Sequence, residues 1–187
     1  MADLSEDIEV KVASNGRTIP HFRYTKLTFS AASEFVDTYY QALNFPTRRI
    51  QISSFYVKPA NGTTKTSITL NGNIVEDGTA VQKIFEKEIG KTIYEVHSYD
   101  CNALNPNYNV DRSESALAPA KDGSKMSVLL MVSGNVRYWK KGENEEPESR
   151  NFSETFVLVP NWDAQGPKAP KGLKRWLIQS QNFRLVS

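Results

Sequence analysis

The sequence predicts an α+β fold: a long antiparallel sheet with three short helices on one of its faces. Three observations carry this expectation. Helical periodicity is confined to the first 90 residues. Four long segments rich in β-branched and aromatic residues follow, and an Asn71-Gly72 turn marks a hairpin between two short alternating runs.

Residues 1–27 form a polar lead-in with little periodicity. The first helix is expected after Ser30, a good N-cap, with Glu34 in its first turn to complement the helix dipole. Phe35, Val36, Tyr39, Tyr40 and Leu43 recur at helical spacing as one apolar stripe, and Pro46 ends it. A second short helix is expected from Arg48 to about Val57. The hairpin strands are Thr66–Leu70 and Asn73–Val75. Thr79-x-x-Gln82 resembles a capping box, and Val81, Ile84 and Phe85 share the face of a third helix that Gly90 would close. The long strands are expected at Lys91–Leu104, Met126–Trp139, Asn151–Pro160 and Arg175–Val186. Loops at 105–125, 140–150 and 160–174 separate them. The domain expectation is a polar N-terminal extension over 1–27 and a single domain over 28–187.

Composition is that of an ordinary globular domain: 39% hydrophobic, 24% charged, net charge +2. The small net charge gives no reason to favour nucleic acid as partner. No apolar run is long enough to span a bilayer, and the N-terminus carries no secretory pattern. With one cysteine, Cys101, an internal disulfide is excluded, and the expected compartment is cytoplasm or nucleus. Phosphate loops, nucleophile elbows and metal-spaced His/Cys clusters are absent from the sequence, so no cofactor or metal is expected.

The Met126–Trp139 segment (MSVLLMVSGNVRYW) is the most informative. Alternation puts Val128, Leu130, Val132, Gly134 and Val136 on a core face. The opposite face carries Leu129, Met131, Ser133, Asn135 and Arg137. A sheet with one wet side should be polar there. This face instead mixes apolar anchors with small polar groups and an arginine, a composition suited to an interface. Glu154 and Phe156 of the next strand and Asn182 and Arg184 of the last are assigned to the same face. The alternatives are that a loop or the lead-in covers this face, and that Arg184 is simply a solvated, snorkelling arginine.

The fragments ASEFVDTYY, SSFYV, TSITLNGNIVEDG, YDCNAL, VLLMVSGNVRY, RNFSETFVLV and RWLIQSQNFRLV, in this order, resemble the nuclear transport factor 2-like superfamily. Leu70-Asn71-Gly72-Asn73, Asp100-Cys101 and Arg150-Asn151-Phe152 resemble its subgroup of small subunits of mRNA export receptors. The resemblance implies a cone: a curved antiparallel sheet wrapped around helices. It implies a non-catalytic subunit that pairs through its sheet with the homologous domain of a large, TAP-type export receptor. The pair would bind phenylalanine-glycine repeats of the nuclear pore, carry RNA and shuttle between nucleus and cytoplasm. The interface residues would be Met131, Ser133, Asn135, Arg137, Glu154, Phe156, Asn182 and Arg184, with Arg184 in an ion pair to the partner. Where the Ran-carrier branch has an acidic hairpin turn, this chain has Asn71, which argues against Ran binding.

Lys168, Lys171, Lys174 and Arg175 cluster between prolines and glycines near Trp162. Such a run is either a solvated loop or a contact for RNA phosphates. Two rival functions share the fold. One is a homodimeric carrier or scaffold. The other is a small-molecule isomerase or dehydratase with His97 or Asp100 in a deep polar pocket, which a cone plugged by Phe85 and Phe183 would rule out.

Overall fold

In the computed structural model the described residues are 21–58, 65–110, 125–139, 146–165 and 169–186, with side chains described from residue 26 onward. Helix α1 (His21–Asn44) comes first. A 3₁₀-helical segment, Pro46–Phe55, follows. The hairpin β1 (Ser67–Leu70) and β2 (Asn73–Val75) leads into α2 (Gly78–Lys83), which runs on as a π-helical turn, Ile84–Glu88. The long strands are β3 (Thr92–Asn105), β4 (Ser127–Tyr138), β5 (Glu148–Pro160) and β6 (Trp176–Val186).

The six strands form one curved sheet in the order β2-β1-β6-β5-β4-β3. Four of the pairings are antiparallel, as expected, but β1 pairs with β6 in parallel, so the sheet is mixed. The parallel pair follows from the crossover between the early hairpin and the last strand. Asn71 holds it: its backbone N–H donates to Phe183 O at 2.9 Å, and its side-chain Oδ1 accepts from the Leu185 N–H at 2.8 Å. The Asn71-Gly72 turn has φ of 49° and 87°, as a tight two-residue hairpin requires.

Helix α1 starts at His21, inside the expected lead-in, and its Leu27–Phe29 stretch packs on the rest of the chain. Leu27 lies against the core, Thr28 is buried, and Phe29 stacks on Tyr99 with centroids 5.7 Å apart. Packing of this kind outweighs the weak local propensity of the segment. The N-cap of α2 is Asp77, whose carboxylate accepts from the Ala80 N–H at 2.8 Å. The expected Thr79–Gln82 box does not form; Gln82 instead accepts from the Ser53 N–H at 3.0 Å.

Gly90 does not close the third helix by a left-handed turn either. Arg49, buried, takes up the free carbonyls instead. Its Nη1 donates to Phe85 O, Ile89 O and Gly90 O at 2.8–2.9 Å, its Nε to Leu43 O at 3.2 Å and its Nη2 to Thr92 Oγ1 at 2.8 Å. One guanidinium thus ties α1, the π-turn and the start of β3 together.

The core lies between the helices and the inner face of the sheet. Phe35, Tyr39, Phe55 and Phe156 pack ring to ring at its centre, and Phe85, Tyr94, Phe152 and Phe183 continue the cluster. Three register shifts bend the sheet, at Val96/Ser98 and Ala103/Asn105 in β3 and opposite Val157/Leu158 in β6. Gly134 makes the first possible. A Cβ on it would sit 2.1 Å from Glu95 O, so β4 can pass under the bulge only without a side chain.

Candidate interaction surface

Cross-strand register places the outward side chains in rows. One row crosses all six strands: Ile74, Thr69, Asn182, Thr155, Met131 and Asp100. On one side of it run Ser67, Ser180, Val157, Leu129 and Asn102; on the other run Arg184, Ser153, Ser133 and Ser98. Beyond these lie the rows Val186–Asn151–Asn135–Glu95 and Ser149–Arg137–Ile93. At one end of the face Ser127 and Val159 are buried, so the open part runs from the Leu129–Val157 row onward.

Met131 on β4 stands 42% exposed on this face, and Leu129 and Val157 beside it are half-buried. The small polar residues already satisfy one another. Ser98 and Ser133 share a hydroxyl–hydroxyl bond of 2.8 Å, and Ser149 donates to Asn135 Oδ1 at 2.8 Å. A second surface can therefore cover them at little desolvation cost. The Ser98–Ser133–Ser153 row is a trough of small side chains that ends at Arg184, which is exposed. It has no ion pair or side-chain hydrogen bond with the described residues. A guanidinium beside such a row has donors that suit a carboxylate.

Six of the eight expected interface residues share this face: Met131, Ser133, Asn135, Arg137, Asn182 and Arg184. Glu154 and Phe156 do not. They are 2% and 0% exposed and point to the helices, because Glu154 pairs with Val132 and Phe156 with Leu130, both core positions. The β5 positions that share the outer face are Ser149, Asn151, Ser153, Thr155 and Val157. The error was one of parity, and a one-residue slip swaps the two faces of a strand.

Glu154 instead anchors a buried polar network that sequence reading missed. Its Oε2 accepts from Tyr40 Oη at 2.6 Å, and its Oε1 from Gln181 Nε2 at 2.6 Å. Gln181 Nε2 also reaches Tyr39 Oη at 2.9 Å, and Gln181 Oε1 accepts from Tyr56 Oη at 2.5 Å. Cations are absent from this network, and burial pushes the Glu154 carboxyl up to about 7. Burial likewise drives the Tyr39 and Tyr40 hydroxyls well above their ordinary range. The signal in the sequence was an acid at an apolar position: Phe152, Glu154, Phe156 and Leu158 alternate on one side.

The β3 bulge at Val96/Ser98 shifts the alternation of the residues beyond it. Tyr99 turns inward onto Phe29, and Ser98 outward onto Ser133. His97 and Asp100 lie exposed on the outer side, away from the interior. That interior is filled by rings, with Tyr94 in contact with both Phe85 and Phe183, so the space an isomerase pocket would need there is occupied. Cys101 is half-buried, and burial raises its thiol. The described residues contain no cluster of metal-ligating side chains, nor a helix long and apolar enough to cross a membrane.

The basic run is dispersed. Lys168 lies outside the described residues. Lys174 packs its ammonium on the Phe55 ring, 4.4 Å from the centroid, and burial lowers its affinity for a proton. Lys171 and Arg175 are exposed.

A family model described as the nuclear transport factor 2 (NTF2) domain matches residues 31–166. The fold is shared with a chain of the solved complex of a Sac3N peptide bound to Mex67:Mtr2. That chain is 26% identical, with a TM-score of 0.71, the match covering 86% of this chain and 99% of the other. A chain of the Chaetomium thermophilum Mex67 NTF2-like domain complexed with Mtr2 is 25% identical, with a TM-score of 0.69 and coverage of 86% and 99%. The structure of Mtr2 itself aligns at 23% identity and a TM-score of 0.67, again over 86% and 99% of the two chains, which shows the shared fold. No curated protein matches the chain.

Proposed function

This chain belongs to the nuclear transport factor 2 domain family, and from that premise we propose that it is a non-catalytic subunit of an mRNA export receptor. Its outer sheet face pairs with the homologous domain of a large, Mex67-type partner. The observation that carries this reading is the outward row from Ile74 to Met131 and Asp100, which is mixed in character across the whole sheet and has both apolar residues exposed. Its similarity to chains of Mex67:Mtr2 complexes supports the choice of partner. With strands about 4.8 Å apart and outward residues about 6.8 Å apart along each strand, the open face measures roughly 24 by 27 Å. Those are its widest dimensions; the rows narrow from six strands to three, so the flat area is roughly 450 Å², to which side-chain relief adds when a partner is seated on it.

The mechanism is geometric. Two half-covered sheets bury one another, the Ser98–Ser133–Ser153 trough and Arg184 receive an acidic group, and Met131 fills an apolar pocket. On this reading the joined surface presents sites for phenylalanine-glycine repeats, and the pair shuttles between nucleus and cytoplasm. Lys171 and Arg175 are the part of the basic run left for RNA phosphates. Alanine at both positions would then weaken RNA binding and flatten its salt dependence.

The test is co-expression of the full chain with the Mex67-type receptor of the same organism, followed by light scattering of the purified species. A 1:1 heterodimer that Met131→Glu dissolves supports the proposal. A chain that stays monomeric beside the receptor, or that forms a stable homodimer excluding it, overturns it.

A further inference from the structure

Ile74 is 88% exposed, more than any other large apolar residue among those described. A single exposed isoleucine on a surface needs no explanation. Two features set this one apart. It stands at the end of the Met131 row, on the same face, with only Thr69, Asn182 and Thr155 between them. These neighbours are small and polar, so none of them offers Ile74 an apolar surface to lean on.

The second feature is rigidity. The β1–β2 hairpin is not a loose flap: β1 pairs with β6 over four residues, and Asn71 holds Phe183 O and the Leu185 N–H at 2.9 and 2.8 Å. The hairpin is therefore fixed in register with the strand that carries Asn182 and Arg184. A rigid apolar side chain loses little entropy on binding, which is how an anchor residue gains its energy.

We infer that the β1–β2 hairpin is the far edge of the partner interface and that Ile74 inserts into an apolar pocket of the partner. This deepens the heterodimer reading and rests on it. The occupant is a domain-sized surface, because Met131 and Ile74 lie four strand spacings, roughly 19 Å, apart across the strands. A linear peptide laid along one strand would meet only one of them, and one laid across the strands would leave the Ser98–Ser133–Ser153 row and Arg184 uncovered. A homologous sheet of the large subunit meets both.

The experiment measures Kd between the full chain and the full-length Mex67-type receptor for wild type, Ile74→Asp, Asn71→Gly and Met131→Glu. The inference expects Ile74→Asp to raise Kd at least tenfold with an unchanged melting temperature. Asn71→Gly keeps the left-handed turn but removes the side-chain clamp, and is expected to raise Kd by a smaller factor through faster dissociation. Wild-type affinity in Ile74→Asp, while Met131→Glu abolishes binding, overturns the hairpin inference and leaves the heterodimer standing. Absence of binding by the wild-type chain overturns both.

Discussion

Gln181 on β6 donates through Nε2 to Glu154 Oε1 on β5 at 2.6 Å, and the pair sits directly behind the exposed row of Thr155 and Asn182. The face proposed to meet a partner is thus backed by a buried carboxylic acid without a counter-cation.

That burial makes stability depend on pH. The Glu154 carboxyl titrates near 7 in the folded chain against an ordinary 4.5. A raised acid binds its proton more tightly when folded, so its contribution is full below pH 4.5 and lost as pH climbs through 7. The span corresponds to about 3 kcal/mol. Glu154→Gln should abolish this slope and be the more stable protein at pH 8. Melting temperatures of both proteins from pH 5 to 8 check it. A constant gap between the two curves would refute the assignment.

Arg49 should be the costliest polar residue to replace. Its guanidinium satisfies four carbonyls and one hydroxyl in the interior, and a lysine ammonium has three donors at one point. Arg49→Lys and Arg49→Met should each lose about 3 kcal/mol, since several carbonyls stay buried without donors. Urea denaturation measures this, and a lysine variant within 1 kcal/mol of wild type, by the scale of an ordinary surface change, would contradict the clasp.

Much of the fold was legible because its signals are local. Asn71-Gly72 dictates a hairpin, Pro46 stops a helix, and alternation in Val128–Val136 marks a core face. What failed was parity at a distance. The alternation of Phe152, Phe156 and Leu158 around Glu154 suggests which side of β5 faces the helices but does not fix it. That depends on its pairing with Val132, and an acid among phenylalanines invites the wrong side. The β3 bulge at Val96/Ser98 is equally non-local, since it needs Gly134 on another strand. Arg49 was silent because its partners are carbonyls, which carry no sequence signal.

Gly134→Ala tests that bulge. The added methyl would meet Glu95 O at 2.1 Å and the Phe152 ring at 2.9 Å, and backbone cannot yield as a flexible side chain does. The variant should lose about 2 kcal/mol or more. It should also turn Ser98 out of reach of Ser133, which amide chemical shifts along β3 would report. Wild-type stability and shifts would mean that the strand has another way around.

Arg184 and Arg137 share the outer face and the same charge, yet they should behave differently. In the proposed heterodimer Arg184 closes the trough of small hydroxyl side chains, where the partner covers it and excludes water. Arg137 stands in the last row of the face, where solvent persists. Removing a desolvated ion-pair residue costs about 2–5 kcal/mol of binding, mainly in dissociation, whereas a rim charge mainly changes association rate and its salt dependence. Arg184→Ala should therefore raise Kd for the Mex67-type receptor by about 30-fold or more. Arg137→Ala should change Kd about threefold or less at moderate salt. Arg184→Glu should bind more weakly than Arg184→Ala, because it places like charge against the partner's acid. Stopped-flow association and dissociation at two salt concentrations separate these cases. Equal, small effects of both alanine variants would show that the trough meets no carboxylate.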